Sequence, residues 1–129
     1  MKVPEPRVIG PVTRTDIVRY QGASGDMNPV HHDEPFATGA GYPAPLAVGM
    51  FQSGALFAWA SDWLGPDNVR SVRCRWKAPV FPGDVLTLSG EIAKSYEHNG
   101  ESRVDLVLTC IKQDGATAVQ GWATFVVPA

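Results

Sequence analysis

Residues 48–65, VGMFQSGALFAWASDWLG, spell a helix with almost no side to turn toward water. Met50, Phe51, Ala55, Leu56, Phe57, Ala58, Trp59, Trp63 and Leu64 cover the helical positions nearly all round, and Gly65-Pro66 supplies the stop. Such a helix holds together only if the rest of the chain covers it, and it falls short of the ~20 apolar residues that span a bilayer. The cover comes from the second half. Residues 68–127 carry runs rich in Val, Thr and Leu, which predict strands at about 68–78, 84–97, 101–112 and 117–127. Pro82-Gly83-Asp84, Asn99-Gly100 and Asp114-Gly115 mark the turns between them, and Asn99-Gly100 suits the positive φ angles of a tight hairpin. A further strand at about 7–13 gives an antiparallel sheet of about five strands around one long apolar helix, an α+β fold.

The 129 residues fit one domain spanning 1–129. With 44% hydrophobic and 19% charged residues the chain can bury a core, which excludes a disordered tail. Lys+Arg 11 against Asp+Glu 13 gives a net charge of -2, unsuited to neutralising many phosphates, so no nucleic-acid partner is expected. Pro4, Glu5, Pro6 and Arg7 stand where a signal peptide needs an apolar core, so the expectation is a cytoplasmic protein with no membrane segment. Trp76, Phe81 and Trp122 suggest that part of the sheet's back is apolar enough to pair with another subunit, so at least a dimer is expected.

In the first half, Thr15 can cap a helix beginning at Asp16, with Ile17, Val18 and Tyr20 on its apolar side and Gly22 and Gly25 ending it. The loop GASGDMNPVHHDEPFA follows, in which Asn28-Pro29 disfavours helix, with a helical turn around Glu34–Thr38. Polar groups concentrate here. Asp26 and His31, five residues apart on a bent loop, can turn toward one another as a proton-handling pair. On spacing alone, Asp and His in a loop are also compatible with an Asx turn and surface hydrogen bonds.

Other chemistries fit less well. Asp26, His31, His32 and Asp33 are metal-ligand types, but adjacent imidazoles on an extended loop rarely meet at one ion, and His98 sits beside a hairpin turn, so no metal is expected. Gly22-Ala23-Ser24-Gly25-Asp26 ends in Asp where a nucleophile elbow needs Gly, which leaves Ser24 as a turn residue. Gly39-Ala40-Gly41 is followed by Tyr42-Pro43 and has no strand before it, so it reads as a loop and not a dinucleotide site. Cys74 and Cys110 read as two buried thiols. Arg70, Arg73, Arg75 and Lys77 read as a solvated sheet face, with contact to the phosphates of a carrier arm as the functional alternative.

The segment DIVRYQGASGDMNPVHHDEPFA resembles the hydratase motif of the MaoC-like hydratases and dehydratases of the hot-dog fold, a family that includes (R)-specific enoyl-CoA hydratases and bacterial 3-hydroxyacyl-ACP dehydratase subunits. Pro45-Leu46-Ala47-Val48-Gly49-Met50 follows where that family has Pro-x-x-His-Gly-Met, and Lys77–Asp84 is similar to its strand-to-turn signature. The resemblance covers about residues 15–92. It implies that Asp26 and His31 are the catalytic pair, that Gly49 offers its backbone N–H to the thioester oxygen, and that Asn28, Ser24 and Met50 bind substrate or support the loop. It further implies a hydratase or dehydratase acting on acyl thioesters carried by CoA or acyl-carrier protein, with no cofactor and no metal, working as a homodimer or with another hot-dog chain. Val48 departs from the family's usual His, which removes a hydrogen bond that often braces this segment. That departure leaves two alternatives: a partner-dependent or non-catalytic subunit, and an enzyme that adds a different nucleophile to an enoyl thioester.

Overall fold

The computed structural model describes residues 1–129. The elements are β1 (Arg7–Ile9), α1 (Arg14–Ser24), α2 (Glu34–Gly39), α3 (Gly49–Leu64), β2 (Val69–Trp76), β3 (Leu86–His98), β4 (Glu101–Lys112) and β5 (Thr117–Val126). Short 3-10 turns occupy Pro29–His31 and Pro66–Asn68. The strands form one antiparallel sheet in the order β1-β3-β4-β5-β2, so the expected hot-dog arrangement is present.

The period of two in β4 and β5 explains how the sheet receives the helix. Val104, Leu106, Leu108 and Cys110 on β4, with Val119, Ala123 and Phe125 on β5, are buried against Leu56, Trp59, Ala60 and Leu64 of α3. Gly90 on β3 makes room for this packing, since a Cβ there would lie 3.0 Å from Trp59 and 2.5 Å from Leu108 Cδ2. The β3–β4 hairpin turns through Asn99 at φ 51° and Gly100 at φ 77°, as the Asn-Gly pair demanded. Cys74 and Cys110 are both free, and burial pushes the Cys110 thiol up to about 11. No helix is long and apolar enough to cross a membrane.

Several boundaries differ from expectation. The cap of α1 is Thr13, not Thr15: its hydroxyl accepts from the Asp16 N–H while the Asp16 carboxylate accepts from the Thr13 N–H. Two reciprocal bonds outweigh the one that Thr15 could make. The helix passes through Gly22 and stops at Gly25, which takes φ 78°. Strand β1 is three residues and not seven, because Gly10 turns at φ 112° and is pressed so close to Asp84 that a Cβ would lie 2.7 Å from its carbonyl oxygen. The helix α3 is covered on most sides but not all. Met50, Gly54 and Ala58 form an uncovered stripe, beside Val69 and Val72 of the edge strand β2. Five strands reach only part of the way round a helix, and β2 is where this sheet stops.

One ion pair secures the turn that leads from β2 into β3. Asp84 is buried and faces Lys112 Nζ at 2.9 Å, while Gln113 Nε2 and the Phe81 N–H donate to it at 2.8 Å each. Lys112 also donates to the Pro79 carbonyl at 2.9 Å. Burial by itself raises the Asp84 pKa, but these donors and the Lys112 charge outweigh it and hold the carboxyl below its ordinary 3.8. A depressed carboxylate stabilises the fold above its ordinary pKa and loses that contribution as pH falls through the folded value. Asp84→Asn should therefore cost about 2 kcal/mol at pH 7 in urea denaturation, with a smaller loss relative to wild type as the pH drops below about 4.

Candidate active site

The Gly25–Asp33 loop is shaped by local hydrogen bonds before any distant contact is made. The Asp26 N–H donates to Ser24 Oγ at 3.2 Å, the Asn28 N–H to Asp26 Oδ1 at 3.2 Å, and the Val30 N–H to Asn28 Oδ1 at 3.1 Å. Asn28 thereby caps the 3-10 turn Pro29–His31, and Ser24 fills the turn role read from the sequence. The chain from α2 then runs back past this loop. Leu46 donates its N–H to the Val30 carbonyl at 3.2 Å and accepts from His31 Nδ1 at 2.7 Å.

That last bond sets the chemistry of the imidazole. A carbonyl oxygen only accepts, so Nδ1 carries the hydrogen and Nε2 of the neutral ring carries the lone pair. Nε2 faces Asp26 Oδ2 at 3.8 Å, with the His31 side chain 10% exposed and that of Asp26 44%. The gap is too long for a direct hydrogen bond and short enough for one oxygen atom to touch both groups.

His31 and Gly49 line a cavity of about 290 Å³ together with Leu46, Gln52, Trp76 and Lys77. Gly49 is the first residue of α3, and Val48 before it provides no side-chain cap, so the helix N-terminus presents backbone N–H groups without a side-chain acceptor. The Trp76 indole lies against Gly49 so closely that a Cβ there would meet Nε1 at 2.7 Å. Asp26 reaches the cavity only through His31. Asn28, Ser24 and Met50 stay outside its lining, Met50 being 47% exposed on the uncovered stripe of α3.

Three further residues shape this site without a local mark in the sequence that assigns them to it. Gln21 is 1% exposed; its Nε2 donates to the Asp26 and Asn28 carbonyls at 2.9 and 3.3 Å, and its Oε1 accepts from His32 Nδ1 at 3.2 Å. Trp76 is 52% exposed on the edge strand, and it lines the cavity as well. Gln52 lines it from within the apolar helix. A polar side chain in that helix, three positions after Gly49, is the available signal for Gln52; Gln21 carries none, because two of its three partners are backbone carbonyls that no residue type marks. Along β2, Arg73 stacks on Trp122 at 4.5 Å and Arg70 pairs with Glu101 at 2.7 Å, which accounts for two of the strand's three arginines.

A helix cradled in an antiparallel sheet, with an Asp/His pair and a helix N-terminus meeting at one cavity, defines the class. The MaoC like domain model matches residues 2–112, and the chain belongs to that family. It is 38% identical over 89 residues to 3-hydroxyacyl-thioester dehydratase Y of Mycobacterium tuberculosis, a match covering 65% of this chain and 30% of that protein. The chain thus spans about a third of that relative's length. Among solved structures, R-hydratase PhaJ1 from Pseudomonas aeruginosa superposes with a TM-score of 0.83 at 26% identity, covering 99% of this chain and 83% of that one. The ChsH1-ChsH2 complex from Mycobacterium tuberculosis shares the fold with a TM-score of 0.85 at 21% identity, covering 98% of this chain and 96% of that one.

Two substitutions check the geometry. Gly49→Ala should drive the Trp76 indole outward, at a cost of about 1–3 kcal/mol, and Trp76→Ala in the same chain should recover most of the lost melting temperature. Gln21→Leu leaves two carbonyls and His32 without their partner. It should cost about 1–3 kcal/mol in urea denaturation and loosen the Asp26–His31 loop, read as faster amide exchange there.

Proposed function

We propose that this chain is a hydro-lyase that interconverts trans-2-enoyl and (R)-3-hydroxyacyl thioesters. The observation that carries the reading is the His31 Nδ1 bond to the Leu46 carbonyl, which leaves the Nε2 lone pair facing Asp26 at the edge of the cavity that Gly49 lines. Membership in the MaoC-like family, and the names of the dehydratase and R-hydratase it is similar to, support the substrate class and stereochemistry.

In the proposed reaction a water molecule lies in the gap between Asp26 and His31 and adds to C3 of the enoyl thioester. One water proton passes to the pair as the C3–O bond forms, and the C2=C3 electrons move through C1 onto the thioester oxygen. The Gly49 N–H, at the positive end of α3, receives that oxygen. C2 then takes a proton from the pair, the carbonyl re-forms, and the enzyme is returned to its starting state. Dehydration is the reverse. Asn28 acts by capping the turn that aims His31. The acyl group arrives on CoA or a phosphopantetheine arm, and the chain's own acid-base groups suffice with no further cofactor.

A second hot-dog chain completes the assembly in this reading. The uncovered stripe of α3 and the free edge of β2, where Val69 is 39% and Val72 49% exposed, are the surfaces it covers. The loss of a side chain able to hydrogen-bond at Val48, together with the likeness in fold to the two-chain ChsH1-ChsH2 complex, favours a different chain as partner over a second copy. The test is hydration of crotonyl-CoA by the purified chain, followed at the enoyl absorbance. Asp26→Asn and His31→Ala should each lower kcat by about 10²–10⁴-fold without unfolding the protein. Full activity in either variant overturns the dyad.

A further inference from the structure

Gln52 stands three residues after Gly49, so the two share one face of α3, and both line the cavity that holds His31. A helical side chain leans back over the turn N-terminal to it, and Gly49 has no side chain to block the way. Gln52 is 2% exposed. Its Oε1 is sealed inside the protein with no hydrogen-bond partner, the only buried side-chain polar atom in the chain left so. An amide oxygen in that condition is a standing cost to folding, and a leucine of similar size would serve the packing better. The –NH₂ end of the carboxamide is not sealed in the same way, and Gln52 is one of the residues of the cavity wall.

We propose that Gln52 Nε2 donates to the thioester oxygen beside the Gly49 N–H, so that two fixed donors receive the charge of the enolate. The inference rests on the enoyl-thioester reading above and adds a residue to it. One backbone N–H is a thin cradle for an oxyanion, and Val48 offers no side-chain hydrogen bond at this end of α3. The carboxamide supplies the second donor from the same helical face. It is neutral, so it brings no net charge into the half-apolar cavity, and it needs no proton transfer to act. The substrate class follows: an acyl thioester whose carbonyl gains negative charge during the reaction.

The test uses wild type, Gln52→Leu and Gln52→Glu, with two readouts. Each is titrated with acetoacetyl-CoA, whose enolate absorbs in the near ultraviolet, and each is assayed for crotonyl-CoA hydration. Wild type should bind acetoacetyl-CoA as the enolate. Both variants should lose most of that band and about 10²-fold in kcat with KM little changed, while Gln52→Leu melts no lower than wild type. A purely structural role for Gln52 would instead lower the melting temperature and leave the enolate band intact. A wild-type chain without the band, or a Gln52→Leu chain that keeps both band and kcat, overturns the proposal. Should Gln52→Leu not fold, the near-isosteric Gln52→Glu decides on the band alone. A wild-type chain that forms the band and loses it in the variants, yet hydrates nothing, supports the donor role and overturns hydration of crotonyl-CoA by this chain on its own. A chain whose Gln52→Leu variant hydrates at the full rate keeps the hydration and removes Gln52 from it.

Discussion

Covering α3 is the requirement from which the other features follow. Its inward side, Leu56, Trp59, Ala60 and Leu64, is buried by β4 and β5, and the sheet must curl to reach it. Curling a sheet of five strands leaves two edges apart, and the helix shows its Met50–Gly54–Ala58 stripe through the opening. The cavity lies at the N-terminal end of α3, between its first turn, the end of β2 and the loop that carries His31. A fold that closed fully around its helix would have no such place.

The site is built from backbone as much as from side chains. His31 is oriented by the Leu46 carbonyl, Asp26 and Asn28 are held by Gln21 through their carbonyls, and Ala47 donates its N–H to Val80 at 2.8 Å. Three segments distant in sequence are thereby joined: the Asp26–His31 loop, the entry to α3, and the turn after β2. The last of these is anchored in turn by Asp84 and Lys112. Loops carrying reactive groups are ordinarily the mobile part of a domain, and here each is bonded to the next.

What could be read from the chain alone was whatever its chemistry settles locally. The α3 pattern, the Asn99-Gly100 hairpin and the strand runs of β3, β4 and β5 depend on neighbours in sequence, and they fall within a few residues of expectation. The Asp26–His31 pair was legible because its motif is contiguous. Thr15 and Thr13 both offer a hydroxyl ahead of Asp16, and only the reciprocal bond of Thr13 with Asp16 as the third helical residue separates them. Gln21, Gln52 and Trp76 escaped because their meaning lies in partners brought from elsewhere. Nothing around Trp76 in sequence says that Gly49 will press against its indole.

The Leu46 carbonyl has one more consequence. Because a main-chain atom selects the tautomer of His31, the identity of the side chain at position 46 has no part in that selection. Yet the Leu46 side chain belongs to a residue of the cavity wall. The width of the cavity can therefore change through substitution at this position while the His31 hydrogen bond stays as it is. The shape of the cavity and the orientation of the imidazole are separable here, held by the side chain and the carbonyl of one residue.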